Sequence, residues 1–417
     1  MIIPSIDLRD GRAVQLVEGR ELAIDAGDPW PIAERFARVG EVAVIDLDAA
    51  MGTGENRALI EKLCARFPVR VGGGIRDLAR ARAYLDAGAN KIILGTAARR
   101  ELLQELPRER VIAALDARDG EVVVEGWQTR TGRPVHERVE ELRDVVGGFL
   151  ITFVEREGHM QGTDLARARQ LIERAGDARV TIAGGVTTTE EIAALDQLGA
   201  DAQVGMALYT GAMSLADAVI ACVRGEAPWP TVVVDRHGRA LGQCWSNDHS
   251  VRAALDSGRG VYWSRRRGLW RKGETSGATQ ILHAIALDCD RDALRMTVTQ
   301  APPGFCHEET ATCWGPLGGL GTLAELLTAR AHSAPAGSYT ARLLSDPDLL
   351  ASKLREECEE LIEANTQTDV TWEAADLMYF TLVAMTRAGV SLADVERELD
   401  RRAKKITRRS QVEGVSS

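Results

Sequence analysis

The chain has no apolar run long enough to serve as a signal peptide or to cross a membrane. Its first ten residues, MIIPSIDLRD, already contain charged side chains. We therefore expect a soluble, cytoplasmic protein without a membrane partner. The 417 residues are too many for one hydrophobic core of ordinary size and are typical of two or three domains.

The sequence also lacks an excess of positive charge, because 51 Lys and Arg face 61 Asp and Glu and give a net charge of −10. A protein of this charge has no overall field that attracts nucleic acid, and we expect no nucleic-acid partner. The local basic run Arg265–Arg267 has two interpretations, a phosphate ligand or a solvated face.

A dense disulfide framework is absent too, since the seven cysteines are spread from Cys64 to Cys358. Three of them lie close together along the chain, at Cys289, Cys306 and Cys313. This distribution is typical of a protein in a reducing compartment with a local metal site.

That cysteine cluster belongs to residues 287–314, LDCDRDALRMTVTQAPPGFCHEETATCW. If Ile285–Leu294 is extended, the aspartates lie on one face of a strand and Cys289 lies on the other. The predicted ligands are Asp288, Asp290 and Asp292 for Mg²⁺, and Cys289, Cys306 and Cys313 for Zn²⁺. Three thiolates leave the fourth zinc position open to water, as in catalytic sites. A solvated turn with buried thiols is the alternative.

Residues 261–277, VYWSRRRGLWRKGETSG, precede this segment. YWSR, LW.KGETSG and DCD.DAL with paired downstream cysteines resemble phosphoribosyl-AMP cyclohydrolase, over about residues 228–315. The resemblance implies a small α+β, mainly-β metal-binding domain. In it Zn²⁺ activates the water that opens the adenine ring of phosphoribosyl-AMP, while Mg²⁺ and basic residues hold phosphate. The candidate phosphate contacts are Arg265, Lys272 and Ser276.

This region departs from the family at one position. Ala278 stands where the family usually has a histidine. His283 and His307 are alternative sources of the acid/base group, and each is equally well explained as a structural or exposed side chain.

Residues 1–224 alternate short β-branched runs with amphipathic stretches, which predicts repeated βα units. Eight such units imply a closed (β/α)₈ barrel, a TIM barrel. The predicted strands are Ile2–Ile6, Val42–Ile45, Val69–Val71, Lys91–Leu94, Val111–Leu115, Phe149–Phe153, Arg179–Ile182 and Ala202–Val204.

The two halves of this region repeat at an offset of roughly 110 residues. Asp7 ends the first strand as Asp116 ends the fifth, and glycine-rich turns end matching strands in each half. Such turns bind anions, so a pair of them suits a ligand with a phosphate at each end. Asp7 and Asp116 would lie between the phosphates as general acid and base. The phosphate-binding candidates are Gly73, Gly74, Gly95, Thr96, Gly184, Gly185 and Gly205.

The motifs PSIDLRDGR, IDLDAA, VGGGIRD, ILGTAA, LDARDG, IAGGV and VGMALY resemble phosphoribosylformimino-aminoimidazole carboxamide ribotide isomerase over about residues 1–224. The resemblance implies an Amadori rearrangement of a bisphosphorylated aminoimidazole carboxamide ribotide, catalysed by Asp7 and Asp116 with help from Thr152.

The barrel region departs from this family in three places. Gln15 replaces an arginine, Glu157 replaces an Asp-Gly pair, and the loop Glu18–Asp28 is shorter. Two alternatives therefore stay open. In one the barrel is a non-catalytic binding or assembly module, and in the other it also accepts phosphoribosylanthranilate.

Beyond the glycine-rich stretch Gly315–Gly321 the apolar spacing becomes helical. The predicted helices are Leu323–Ala331, Asp346–Asn365, Trp372–Ala388 and Leu392–Lys405. Glu357 and Glu360 share a face of the second helix, and Glu373 and Asp376 share a face of the third. The two faces together would bind Mg²⁺, and ordinary solvated helices are the alternative.

SYTARLL, K..EE..E and EAADLMYF resemble phosphoribosyl-ATP pyrophosphohydrolase over about residues 322–408. The resemblance implies an all-α domain whose carboxylates hold Mg²⁺ on the triphosphate of phosphoribosyl-ATP and orient the attacking water. Lys353 is a candidate phosphate contact, and Arg408–Ser417 is expected to fray.

Taken together, the three resemblances imply consecutive reactions of histidine biosynthesis in one multidomain enzyme. A hinge at Gly225–Pro230 would separate the barrel from the domains that follow. Because both C-terminal families commonly act as dimers, we expect a homodimer.

Overall fold

The computed structural model describes residues 1–17, 19, 21–124, 127, 129–157 and 162–407. The chain forms two compact units. The first contains residues 1–235 and 242–302 with the described part of 404–417, and the second contains residues 236–241 and 303–403. The predicted fraying of Arg408–Ser417 lies outside the described residues.

A parallel barrel forms most of the first unit. Its sheet consists of β1 (Ile2–Arg9), β2 (Arg12–Val17), β3 (Glu21–Gly27), β4 (Val42–Asp46), β5 (Val69–Gly72), β6 (Lys91–Leu94), β7 (Val111–Arg118), β8 (Glu121–Val124), β9 (Thr129–Pro134), β10 (Gly148–Phe153), β11 (Arg179–Ala183) and β12 (Asp201–Val204). Strands β1, β4, β5, β6, β7, β10, β11 and β12 pair in that order, and β12 returns to β1. The predicted TIM barrel and its eight strands are confirmed.

The other four strands form two hairpins at equivalent places in the two halves. β2 pairs antiparallel with β1, with Asp7 opposite Val14, and β8 pairs antiparallel with β7, with Asp116 opposite Val123. The repeat seen in the sequence therefore extends to the backbone. The sequence predicts a loop at Glu18–Asp28. That prediction is wrong over most of its length, because Glu21–Gly27 forms β3, which pairs with β2. Glu18 and Arg20 lie outside the described residues.

Helices connect the barrel strands, and several begin at a side chain that accepts a hydrogen bond from the first turn. Asp28, Asp77 and Thr188 are examples, and Thr188 forms a capping box with Glu191. These caps fix where each turn after a strand ends. The helices are α1 (Pro29–Phe36), α2 (Leu47–Met51), α3 (Arg57–Arg66), α4 (Leu78–Ala87), α5 (Arg100–Leu103), α6 (Val135–Leu142), α7 (Leu165–Ala175), α8 (Thr189–Gln197), α9 (Met206–Tyr209) and α10 (Leu215–Ile220).

The strand-rich region that follows contains β13 (Trp229–Val234), β14 (Ala240–Ser246), α11 (Asp248–Ser257), β15 (Val261–Ser264), β16 (Gly268–Arg271), β17 (Gln280–Leu287) and β18 (Leu294–Gln300). Four strands form a sheet in the order β14-β13-β18-β17, and β15 and β16 form a separate hairpin. The predicted mainly-β character of this region is confirmed.

The extended conformation predicted for Ile285–Leu294 is wrong in its middle. β17 and β18 are antiparallel, with Leu287 opposite Leu294, so the chain must reverse between them. The Asp288 N–H donates to the Ala293 carbonyl at 3.1 Å, and the Ala293 N–H donates to Asp288 Oδ1 at 3.2 Å. Residues 288–293 are therefore a turn, in which Arg291 has a φ of 70°.

The second unit is mainly helical. Its helices are α12 (Gly319–His332), α13 (Tyr339–Ser345), α14 (Pro347–Glu363), α15 (Gln367–Arg387) and α16 (Leu392–Ala403). The four predicted helices are confirmed, and α13 is an addition. The buried core of this unit consists of Leu327, Leu343, Leu350, Phe380, Leu382 and Val383. Across the described residues of both units, no helix combines the length and apolar character needed to span a bilayer.

One prediction concerns the turn after β5. Gly73 has a φ of 91°, and a Cβ there would lie 2.2 Å from the Asp46 carbonyl oxygen. Gly73→Ala should therefore lower the free energy of unfolding by more than about 1 kcal/mol.

Urea unfolding of the full chain measures this change at the barrel transition. Gly95→Ala is the matched control, because a Cβ at Gly95 meets no atom within 4 Å, and its effect should stay within about 0.5 kcal/mol. Equal destabilisation by the two substitutions would contradict the steric argument.

Candidate functional site

A cavity of about 1230 Å³ opens where the barrel strands end at their carboxyl termini. Its floor is apolar and includes the buried side chains Ile93, Leu150 and Ala183. The sequence-predicted barrel residues all line this cavity, namely Asp7, Asp116, Thr152, Gly73, Gly74, Gly95, Thr96, Gly184, Gly185 and Gly205. The structure thus brings the candidate acid/base groups and both sets of glycines together.

Two of the glycine-rich turns, which we call the glycine cradles, have the same construction in the two halves of the barrel. Gly73 and Gly74 follow β5 and lead to α4, whereas Gly184 and Gly185 follow β11 and lead to α8. A Cβ on Gly184 would lie 2.6 Å from the Phe153 carbonyl oxygen, so the backbone packs directly on the neighbouring strand. Each cradle therefore ends at the N-terminus of a helix, where the backbone dipole favours an anion.

Asp7 and Asp116 lie on β1 and β7, which are opposite strands of the barrel. Burial raises the pKa of Asp7 to about 6, although the Ser5 hydroxyl, which donates to Oδ1 at 3.2 Å, acts in the other direction. Burial also raises the pKa of Asp116, opposed by hydrogen bonds from Trp127 and Thr152. Both carboxyls therefore hold a proton more readily than a free aspartate, as is common for acid/base groups in a cavity.

Glu157 adds a third carboxyl to the cavity. Burial raises the pKa of Glu157 to about 7, and the nearby charges of Asp7 and Asp116 contribute in the same direction. Its Oε2 would lie 3.2 Å from a Cβ on Gly184, so the carboxyl is beside one cradle. The longer side chain at this position thus keeps a carboxyl in the site.

Gln15 lies beside the other half of the cavity. Its side chain is buried, Nε2 donates to the Val14 carbonyl at 2.9 Å, and Oε1 would lie 2.5 Å from a Cβ on Gly205. A neutral amide therefore fills the position where the isomerase family has a cation.

Sequence reasoning missed several cavity residues, which are Arg76, Arg99, Arg133, Arg138 and Trp127. Arg76 Nη2 donates to the Ala49 and Ala50 carbonyls, at 3.2 Å each. In the sequence, the one signal that could have identified Arg76 as a cavity residue was its position two residues after the glycine turn, in GGGIRD. These arginines give the cavity positive charge that suits phosphate.

In the strand-rich region, Asp288, Asp290 and Asp292 are exposed, and one oxygen of each lies within 4.8 Å of the others. The pKa of Asp292 is raised, mainly by the negative charge of Asp290 and to a lesser extent by burial and by the charge of Asp288. The turn thus brings together three carboxylates that repel one another. Such a group suits a divalent cation.

The cysteines predicted to bind zinc are divided between the units. Cys306 and Cys313 belong to the second unit, and Cys289 belongs to the first. The pKa of Cys306 is lowered, mainly by a hydrogen bond from the Glu308 backbone N–H. A hydrogen bond with Cys313 acts in the same direction. The two thiol groups are therefore paired, and Cys306 loses its proton more readily than an ordinary cysteine.

Ala278 stands where the cyclohydrolase family has a histidine, and His283 and His307 are the two candidates for its acid/base role. Their surroundings differ. His307 Nδ1 lies 3.8 Å from Cys306 Sγ. His283 Nε2 lies 2.7 Å from Thr299 Oγ1, on the neighbouring strand β18. His307 is thus beside the cysteine pair, whereas His283 has a structural hydrogen bond.

The phosphate candidates of this region lie close to tryptophans. The Arg265 guanidinium is 5.2 Å from the centre of the Trp245 ring, and Lys272 Nζ is 5.9 Å from that of Trp270. Lys272 is buried and Ser276 is exposed. Stacking on aromatic rings orients the two cations.

The helical unit brings acidic side chains of α14 and α15 together. Oxygens of Glu357, Glu373 and Asp376 lie within 4.8 Å of one another, and Glu357 is buried. Glu360 groups instead with Glu356 and Glu357 on its own helix. Lys353 Nζ lies 3.3 Å from Glu357 Oε1 and 2.7 Å from Glu356 Oε1.

Three family models match the chain in succession. Residues 1–214 match the histidine biosynthesis protein family, residues 243–315 match phosphoribosyl-AMP cyclohydrolase, and residues 320–403 match phosphoribosyl-ATP pyrophosphohydrolase. These matches confirm the three resemblances read from the sequence.

Similar curated proteins include both fusions and a single isomerase. The histidine biosynthesis trifunctional protein of Neurospora crassa is 40% identical over 334 residues, which are 78% of this chain and 36% of that protein. The histidine biosynthesis bifunctional protein of Schizosaccharomyces pombe is 48% identical over 200 residues, 47% of this chain and 48% of that protein. This chain therefore spans less than half the length of these two fungal relatives.

The third relative is the 1-(5-phosphoribosyl)-5-((5-phosphoribosylamino)methylideneamino)imidazole-4-carboxamide isomerase of Methanocaldococcus jannaschii. It is 35% identical over 232 residues, 52% of this chain and 98% of that protein. Since nearly the whole isomerase is matched and a family model covers half of the 417 residues, the chain belongs to the histidine biosynthesis protein family, with the domains of a cyclohydrolase and a pyrophosphohydrolase after its isomerase-like barrel.

Proposed function

We propose that the chain is a multifunctional enzyme that catalyses three consecutive reactions of histidine biosynthesis. The helical domain hydrolyses phosphoribosyl-ATP to phosphoribosyl-AMP and diphosphate. The strand-rich domain opens the adenine ring hydrolytically, and the barrel isomerises the bisphosphorylated aminoimidazole carboxamide ribotide that follows. The observation that carries this proposal is the convergence of Asp7, Asp116 and both glycine cradles on one cavity.

In the barrel, the two cradles would each bind one phosphate and hold the ribose to be rearranged between Asp7 and Asp116. Asp116 donates a proton to the ribose ring oxygen, and the C1–O bond breaks to leave a hydroxyl and an iminium at C1. Asp7 then takes the C2 proton, so that the C2–H electrons form a C1=C2 bond and the C1=N electrons return to nitrogen. Transfer of the enol proton to C1 gives the amino ketone.

These roles agree with the electrostatics of the cavity. Because the pKa of Asp7 is about 6, its carboxyl is mostly ionised at pH 7 and suits the base. Thr152 lies next to Asp116 on the adjacent strand β10 and hydrogen-bonds it, which orients the acid.

Phosphate binding in the barrel does not depend on a cation at position 15. Arg76, Arg99, Arg133 and Arg138 all line the same cavity as Gln15. The Arg133 guanidinium is paired with Glu141 at 2.6 Å, so its orientation is already fixed. This charge favours a catalytic barrel over a purely structural one.

In the helical domain we propose that Glu357, Glu373 and Asp376 hold Mg²⁺, with Glu360 nearby. The fit rests on three hard oxygen donors in one cluster, one of them on a buried side chain. Mg²⁺ bound there would neutralise charge on the triphosphate. Lys353 holds Glu357 by an ion pair and is proposed to contact phosphate as well.

For ring opening we propose Zn²⁺ on Cys306 and Cys313, and Mg²⁺ on Asp288, Asp290 and Asp292. Two contacting thiols, of which Cys306 has a lowered pKa, are the donors that zinc prefers. Zinc would supply a hydroxide at neutral pH. His307, beside Cys306, is the better placed proton carrier, and Arg265, Lys272 and Ser276 would hold phosphate.

We also propose a cytoplasmic homodimer. The seven cysteines all lie in the described part of the chain and form no disulfide with one another, as expected in a reducing compartment. Large apolar side chains of the helical domain are exposed, including Ile362 at 78% and Trp372 at 67%. Exposed apolar surface of this kind favours association with a second copy.

A coupled assay that starts from phosphoribosyl-ATP and follows every intermediate tests the sequence of reactions. Glu357→Gln should lower diphosphate release at least about tenfold, because it removes the carboxylate shared by both acidic groups. The same variant should still convert phosphoribosyl-AMP. Glu363→Gln, an exposed residue of the same helix, is the control and should retain full activity.

The same coupled assay also tests the barrel. Accumulation of the ring-opened product without isomerisation by the unmodified chain would contradict a catalytic barrel.

A second substitution separates the two hydrolases. Cys306→Ser should abolish ring opening and leave diphosphate release unchanged, since serine is a poor zinc ligand. Cys358→Ser, at an exposed cysteine of α14, is the matched control. Equal loss of both activities would mean that Cys306 has a structural role.

The barrel reaction should depend on pH through Asp7. Since the base must be ionised, the rate of isomerisation should fall as the pH drops through about 6. Ser5→Ala removes the hydrogen bond that lowers this pKa, so the fall should begin at a higher pH. Asp7→Asn should reduce the rate by roughly 10²- to 10⁴-fold.

Diphosphate release by the same variants is the internal control for these measurements and should not change. A pH profile that is the same with and without the Ser5 hydroxyl would show that Asp7 does not set the acidic limb.

A further inference from the structure

A cluster of charges lies at the end of the barrel opposite the cavity, where the strands begin. The Met1 ammonium contacts Asp196 and Asp201, at 3.0 Å each. Asp196 is at the end of α8, and its side chain is only 4% exposed. Cationic partners keep a carboxylate this well buried in its ionised form.

One of these partners comes from the strand-rich region of the same unit. The Arg291 guanidinium forms an ion pair with Asp196, and the Arg291 side chain is 14% exposed. The Arg224 N–H, which follows the last barrel helix, donates to the Arg291 carbonyl at 2.8 Å. Both the side chain and the backbone of Arg291 are thus fixed to the barrel.

Arg291 is the central residue of the aspartate turn, between Asp290 and Asp292. The motif DCD.DAL, which carries the cyclohydrolase resemblance, leaves this position unspecified. Its φ of 70° lies in the left-handed region, which is unfavourable for a residue with a Cβ. The contacts with Asp196 and Arg224 offset that cost and hold the turn in one conformation.

The conformation of this turn matters because its three carboxylates repel one another. One oxygen of each lies within 4.8 Å of the others. A turn free to relax would separate them, whereas a turn anchored on both sides of its central residue keeps them preorganised.

We propose that Arg291 is a positioning residue, which anchors the aspartate turn to Asp196 of the barrel and thereby sets the affinity of Asp288, Asp290 and Asp292 for a divalent cation. This inference rests on the cation site proposed above. It gives the barrel a second task, as the platform for the ring-opening domain.

Two measurements on the full chain test the anchor. Hydrogen exchange of the peptide that covers residues 287–294 is followed as MgCl₂ is added, and ring opening is measured over the same concentrations. Arg291→Gly removes the anchor but keeps the left-handed turn, and should raise the Mg²⁺ concentration for half-maximal protection about tenfold. Asp196→Asn should do the same, and the double variant should be no worse than the poorer single one.

Arg291→Lys retains the charge and should recover part of the Mg²⁺ affinity. Arg295→Ala, an exposed arginine on β18 just after the turn, is the matched control and should behave like the unmodified chain. Diphosphate release should be unchanged in every variant, which excludes general unfolding.

The outcomes separate this inference from the site on which it rests. If Mg²⁺ protects the turn at the same concentration in Arg291→Gly and the unmodified chain, the anchor is overturned and the cation site stands. If the unmodified turn does not respond to Mg²⁺, the cation site and the inference both fail.

Discussion

The pairing of β12 with β1 is the interaction on which the architecture of the first unit depends. It closes eight parallel strands into a ring, so that all their carboxyl ends meet at one rim and all their amino ends meet at the other. Asp7 and Asp116, 109 positions apart in sequence, face one cavity for this reason alone. Closure therefore converts a sequence repeat into a site with two equivalent halves.

The same closure gives the two rims different tasks. The carboxyl rim holds two hairpins, glycine turns and arginines around a cavity. The amino rim is filled by ion pairs among the chain terminus, Asp196, Asp201 and Arg291. Through Arg291 the amino rim also supports the aspartate turn of the next domain. The cavity and the contacts with the neighbouring strand-rich region thus lie at opposite ends of the barrel.

Residue patterns predict this molecule well where periodicity decides the structure. Alternating β-branched runs located all eight barrel strands, and helical spacing located four helices of the second unit. The same period-two argument failed at residues 288–293, because an antiparallel pair must reverse somewhere and alternating aspartates are equally compatible with a turn. Helical spacing placed Glu357 and Glu360 on one face, yet only tertiary packing decides that Glu357 alone meets Glu373 and Asp376. Asp196 pairs with Arg291, which is distant in sequence, and no local pattern reveals that contact.

Buried carboxylates at the two rims affect folding in opposite directions. Without cationic partners, burial raises the pKa of Asp7 to about 6. Its contribution to stability is thus present at acidic pH and is lost as the pH rises through about 6. Asp201 is also buried, but hydrogen bonds from Arg179 and the charge of the chain terminus lower its pKa to about 2, so its contribution is present at neutral pH and is lost as the pH falls toward 2. At pH 7 the amino rim therefore stabilises the barrel while the carboxyl rim carries an ionised Asp7 at a cost, so the ion pairs at one end of the barrel offset the desolvation of a carboxylate at the other.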